Sequence, residues 1–383
     1  MRLLQIYFWS LLLSVAVGCS KKTSPTGGTP TPPPPPPVVD ANALRGAWVT
    51  TTASTALNSL ADIKQTVATF KAAGMNQVFV VVYNNARTIY PSTVMQNLIG
   101  KQIKEGFEGR DPLQEMITEA HAAGMKVHAW FEYGFASSFS ANGGPIVAAK
   151  PGWAGKDING ALLVKNGFDW LNAFDPEVQN FVMSLLKEVA TKYDVDGIQG
   201  DDRLPAMPTT GGYDDYTVNL YKAENAGATP PADPKNAAWV QWRAKKLNQF
   251  MKRMYTELKA LKPNMKVIMA PSIYPFSLTE YLQDWPTWVD SSWVDGVIPQ
   301  VYRYDIAAYK TTLQQQKPYF KTRLNLYTPG VLLKSGSTLQ SDAFVTEMVQ
   351  ANRAEGLNGE VFFFYEGVKD KINFFATQYS FIK

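Results

Sequence analysis

Three stretches of the chain share one hydrophobic pattern: "FKAAGMNQVFVVVY" from Phe70 to Tyr83, "HAAGMKVHAWFEYG" from His121 to Gly134, and "RAEGLNGEVFFFYE" from Arg353 to Glu366. Each reads as the last turn of a helix, a stop glycine and an apolar run. Gly74, Gly124 and Gly356 suit the left-handed residue that ends a helix. The runs are too continuous for strands with one wet face, and strands buried on both faces belong to parallel sheets. Extending the pattern predicts eight strands: Arg45 to Thr50, Gln77 to Tyr83, Lys126 to Glu132, Gly197 to Asp201, Lys266 to Pro271, Gly296 to Tyr302, Arg323 to Tyr327 and Glu360 to Tyr365. Helical patterns separate most of them. "DPEVQNFVMSLLKEVATKY" opens with Asp175 as N-cap and Pro176 at the first helical position. Eight alternating units predict an α/β fold, a (β/α)8 TIM barrel, with enlarged loops after strand three (Phe135 to Asn172) and strand four (Arg203 to Ala238). A doubly wound open sheet is the alternative; it would more often carry a glycine-rich phosphate loop after an early strand, and none is present.

The first forty residues of the 383 do not fit this pattern. Arg2 and the apolar run from Leu3 to Gly18 read as a secretory signal. Cys19, the single cysteine, follows Ala16-Val17-Gly18 in a segment that resembles a bacterial lipobox. Residues 1–19 are thus expected to be a lipoprotein signal with Cys19 lipidated. Residues 20–40, rich in proline, threonine and glycine, cannot bury enough surface to fold and read as a tether. Its proline run favours polyproline II at roughly 3 Å per residue. Residues 41–383 then form the barrel. The expected setting is the cell envelope, on the periplasmic face of the outer membrane or at the cell surface, with the protein a monomer held to the membrane through Cys19.

A net charge of +4 with mixed signs gives no nucleic-acid footprint. The two histidines, His121 and His128, have no ligand spacing, so no zinc site and no serine triad is expected. No cofactor is implied.

Side chains at the C-terminal ends of barrel strands converge on one depression, so the acids found there belong together. They are Glu132 after strand three, Asp201 and Asp202 after strand four, Asp305 after strand six and Glu366 after strand eight. Adjacent strand residues face opposite ways, so Asp201 and Asp202 do not share one role. Two carboxyls across a sugar-sized gap are what glycoside hydrolysis needs. Trp48, Tyr83, Asn84, Trp130, Tyr133, Arg203, Gln300, Tyr302, Arg303, Tyr304 and Tyr365 accompany them at or near strand ends, as expected for stacking on sugar faces and bonding hydroxyls.

From Leu44 to Glu366 the chain resembles the glycosyl-hydrolase-like 10 domain family, in order through "RGAWVTT", "YPS", "DPLQEMITEAHAAGMKVHAWFEYG", "DGIQGDD", "WRAKKLNQF", "APS" and "PQVYRYD". The resemblance implies an exported glycosidase whose principal carboxylate is Asp201, with Asp305 or Glu132 as acid/base. The chain departs from that pattern at Gln199, commonly His, at Gly200, commonly bulky and apolar, and at Arg203, commonly Tyr. Two rival readings are a barrel that binds glycan without cleaving it and a metal-dependent hydrolase built on Asp201 and Asp202.

Overall fold

The structure is a computed structural model that describes residues 43–357 and 359–379. Cys19 and the tether lie outside the described residues. Eight strand positions alternate with helices: β1 (Arg45–Val49), β2 (Gln77–Val81), β3 (Lys126–Phe131), β4 (Gly197–Asp201), β5 (Lys266–Ala270), β6 in two pieces (Gly296–Val297 and Gln300–Val301), β7 (Gly330–Leu332) and β8 (Glu360–Phe363). All the pairings among them are parallel, in the spatial order β6-β5-β4-β3-β2-β1-β8-β7-β6. The sheet closes through β6. Ile298 and Gln300 donate to Met269 and Pro271 on one flank, while Thr328 and Gly330 donate to Val297 and Pro299 on the other.

The predicted stops hold: Gly74, Gly124 and Gly356 have φ of 70°, 77° and 78°, a region L side chains avoid. Asp175 caps the helix Pro176–Lys192 through Glu177 N. The seventh strand is a correction. Leu324–Leu326 is a 3-10 turn, Tyr327 makes one bridge to Val297, and the strand proper begins at Gly330. The apolar alternation of "RLNLY" arises from packing in that turn, where Tyr327 stacks on Phe320 at 4.6 Å.

The enlarged loops carry structure of their own. After β3 a small antiparallel sheet pairs Ala136–Phe139, Phe168–Trp170 and Val164–Lys165. After β4 comes the helix Asp215–Glu224.

Polar residues run up the barrel interior in register. At the lower end His128 Nε2 meets Gln77 Oε1 at 2.6 Å and the imidazole stacks on Phe79 at 4.7 Å. Above it Trp48 Nε1 donates to Gln199 Oε1 at 2.7 Å, linking β1 to β4. Trp130 and Asp201 follow, two residues further along β3 and β4, because alternate residues of a strand share a face. Gly197 leaves the space His128 needs: a Cβ there would fall 2.3 Å from His128 Nδ1 and 2.9 Å from Lys266 O. Gly197→Ala should therefore destabilise the barrel by about 1–3 kcal/mol, read as a lower urea midpoint.

Burial also pushes His128 down from its ordinary 6.5 to about 4. The unfolded chain then takes up a proton between those values that the folded chain refuses. Stability is whole above about pH 6.5 and falls as the pH drops toward 4, with a loss of about 2 kcal/mol already at pH 5. Urea unfolding at pH 7.5 and pH 5 should show this fall in the native protein and a smaller one in His128→Gln.

Candidate active site

The end of β4 places Asp201 at the barrel mouth, where its side chain is almost wholly buried, at 4 % exposure. Three N–H groups converge on its carboxylate. Trp130 Nε1 reaches Oδ2 at 3.0 Å, while Gln300 Nε2 and Asp202 N reach Oδ1 at 2.8 Å each. Gln283 Nε2 holds the Asp201 carbonyl at 2.9 Å, fixing the backbone beneath the acid. Because β3 alternates, Glu132 rises on the same side as Trp130, and Asn84 Nδ2 donates to its Oε2 at 2.5 Å.

One guanidinium joins the acids. Arg203 Nη2 lies 3.5 Å from Asp201 Oδ2 and 3.7 Å from Glu132 Oε1, so those two oxygens are at most about 7 Å apart. That bound admits the roughly 5 Å of a retaining carboxyl pair and the lower end, roughly 6.5 Å, of an inverting one. Arg203 Nη1 sits 2.9 Å from Asp202 Oδ1. Arg203 thus faces both members of the doublet, lying closer to Asp202, while Asp201 is held in addition by three neutral donors.

Burial raises the carboxyl of Glu132, against the pull of Arg203 and the Asn84 hydrogen bond. Burial and then the Asp202 charge raise Asp201, with Arg203 and the Asp202 N–H acting the other way. Three carboxylates face a single guanidinium in a desolvated pocket, so the cluster favours holding a proton near neutral pH.

Several sequence-predicted residues lie elsewhere or do other work. Asp305 is an exposed helix cap: its Oδ1 accepts from Ala308 N at 2.8 Å and starts the helix Ile306–Gln316. Among the expected acids it is Glu132, not Asp305, that shares Arg203 with Asp201. Glu366 accepts from Ser54 Oγ at 2.8 Å and lies 3.4 Å from Lys369, which ties the segment after β8 to that after β1. Trp48, Tyr83 and Tyr365 are buried packing residues with at most 2 % exposure, so none presents a face to a sugar. Trp130 is a donor to Asp201, and Asn84 is spent on Glu132. Tyr133 is buried edge-on against Phe168 at 5.4 Å.

At the rim, Tyr302 is half-buried against Phe363, and burial with the Asp201 and Asp202 charges holds its phenol well above the ordinary range. Arg303 donates to the Tyr302 carbonyl at 2.7 Å. Tyr304, at 61 % exposure, is the aromatic left open to solvent beside them.

The profile of the glycosyl hydrolase-like 10 family matches residues 43–335. The chain belongs to that family. Among curated proteins it is 29 % identical over 304 residues to glycosyl hydrolase DigH of Escherichia coli, covering 69 % of this chain and 63 % of that protein. It is 24 % identical over 278 residues to glycosyl hydrolase YngK of Bacillus subtilis, covering 62 % of this chain and 48 % of that one. The chain thus spans less than two thirds of either relative. Among solved structures, the glycoside hydrolase domain of PgaB (BpsB) from Bordetella bronchiseptica superposes with a TM-score of 0.64 at 12 % identity, over 87 % of this chain and 97 % of that one. Alpha-L-fucosidase isoenzyme 2 of Paenibacillus thiaminolyticus gives 0.64 at 15 % identity, over 88 % and 49 %. At those identities the two structures establish the shared barrel.

Two parts of the site escaped the strand-end reading because they lie inside loops. Phe168 lies under the Arg203 guanidinium at 4.5 Å. Asp169 accepts from Ser138 Oγ at 2.6 Å and from the backbone of Ala141 and Gly143, holding the loop that carries Phe168. The signal that could have found them is Asn166-Gly167, both with positive φ, the dipeptide of a two-residue hairpin turn.

Proposed function

We propose that the protein is a glycoside hydrolase that cleaves a polysaccharide or other glycan with Asp201 and Glu132 as its carboxyl pair. The observation that carries this reading is the pair, Asp201 buried and Glu132 half-buried, sharing Arg203 at the barrel mouth. Both Asp201 oxygens already accept from N–H groups, which suits the ionised form. Glu132 accepts only one such bond, from Asn84, and is the natural seat of the cluster's proton. In the reaction Glu132 passes that proton to the glycosidic oxygen as the C1–O bond breaks. Asp201 either bonds to C1 or takes a proton from the water that does. Family membership and the curated relatives' names support the same reaction class.

The test is incubation of the purified full chain with a glycan panel, from peptidoglycan strands to capsular and dietary polysaccharides, with product analysis. New reducing ends on at least one glycan are expected. Saturable binding with none released from any would count against hydrolysis and for a glycan-binding barrel. Anomeric analysis of the first product distinguishes retention from inversion.

The exported, lipid-anchored setting is proposed on residues 1–40 alone. Metabolic labelling with a fatty-acid analogue should mark the native protein and not Cys19→Ser.

A further inference from the structure

Arg203 stands where a residue that hydrogen-bonds sugar hydroxyls was expected, but each nitrogen of its guanidinium already faces an oxygen of the site. Nε donates to the Glu132 carbonyl at 2.9 Å, Nη1 faces Asp202 Oδ1 at 2.9 Å, and Nη2 faces Asp201 and Glu132. The guanidinium carbon lies over the rings of Phe168 at 4.5 Å and Tyr133 at 5.7 Å, and the side chain keeps only 12 % exposure. The backbone is pinned as well. Phe135 N donates to Arg203 O at 2.9 Å, and a Cβ on Gly134 would fall 2.2 Å from that oxygen, so the loops after β3 and β4 are clasped where the acids emerge. A cation so enclosed cannot turn outward to a ligand without releasing all three carboxylates.

We propose that Arg203 is a positioning residue: it holds Glu132, Asp201 and Asp202 in one arrangement and sets how they share a proton, and it does not bind substrate. The groups facing it bear this out. From the segment just after β3 come Glu132 and Tyr133, from the end of β4 Asp201 and the next residue Asp202, and across the mouth the phenols of Tyr281 and Tyr302. Burial holds all three phenols above their ordinary range, so they stay neutral where the acids titrate. Beyond Tyr281, Lys165 shares Glu280 with Lys235, and neither lysine is paired with an acid of the trio. Among the described residues, Arg203 is the cation that faces all three acids of the trio. An opposite charge at this range moves a carboxyl midpoint by roughly one to three pH units.

The hydrolytic reading is needed only for the catalytic consequence, a pH profile governed by Arg203. The test needs no substrate: carboxyl 13C NMR titration of the full chain labelled in Asp and Glu, with signals identified by difference against Asp201→Asn and Glu132→Gln. In Arg203→Gln the apparent midpoints of Asp201 and Glu132 should rise by roughly one pH unit or more. Arg203→Lys should return them most of the way. Asp202→Asn, which removes the opposing charge, should lower both, and it serves if Arg203→Gln does not fold. Midpoints unchanged in a folded Arg203→Gln, or unchanged in Asp202→Asn, would overturn the proposal. If the midpoints move but no glycan is cleaved, the role of Arg203 stands and the hydrolase reading falls.

Discussion

Asp201→Asn should lower turnover of the cleaved glycan by about a thousandfold or more while the chain remains folded. The substitution conserves shape, but an amide neither attacks C1 nor accepts a proton from water. It also disturbs the local pairing. Trp130 Nε1, Gln300 Nε2 and Asp202 N all donate to the carboxylate, and an amide offers one acceptor oxygen where two were used. Against this, a buried charge is removed, so the net change in stability should be small. The measurement is the rate of reducing-end release at saturating glycan, with circular dichroism confirming the fold. Activity within tenfold of the native protein would move the catalytic role away from Asp201, and Asp202→Asn in the same assay would show whether the doublet has been read the wrong way round.

The largest effect on stability is expected far from the chemistry. Arg353→Ala should destabilise the fold by about 3–5 kcal/mol, read from chemical unfolding, while a glycan's turnover per folded molecule stays unchanged. Glu360, the first residue of β8, is fully buried. It receives Arg353 through two bonds of 2.9 Å, with Tyr379 Oη at 2.5 Å and Asn352 Nδ2 at 3.2 Å completing its shell. Removing the guanidinium leaves a buried carboxylate with neutral donors only. Replacing both partners by apolar groups, as in Arg353→Met with Glu360→Leu, should cost less than Arg353→Ala alone, because no ion is then stranded. Glu360 lies at the opposite end of β8 from the mouth, which is why activity and stability should separate.

The strand–helix alternation was legible because each barrel strand is buried on both faces and each preceding helix stops at a glycine, both properties of a short window. Seven of eight strands lie where the pattern puts them. The seventh does not, since a 3-10 turn that packs Leu326 and Tyr327 inward leaves the same alternation as a strand. Asp305 shows the reverse case. Asp followed by "IAAYK" is a local helix-start signal, and its position after strand six does not reveal that the side chain caps a helix instead of facing the mouth.

What the sequence by itself determined is the family, the barrel and the delivery of Asp201 by the fourth strand. The tertiary structure decided which acid stands beside it. Glu132 stands 69 residues before Asp201 and Asp305 stands 104 after it, and nothing local ranks them. The choice depends on strand register and loop path, which bring Trp130, Glu132 and Arg203 to one point and turn Asp305 onto a helix terminus. The role of Arg203 was hidden for the same reason. Its contacts span β3, β4 and the hairpin at Phe168, and a side chain's partners across such separations are fixed only once the barrel has closed.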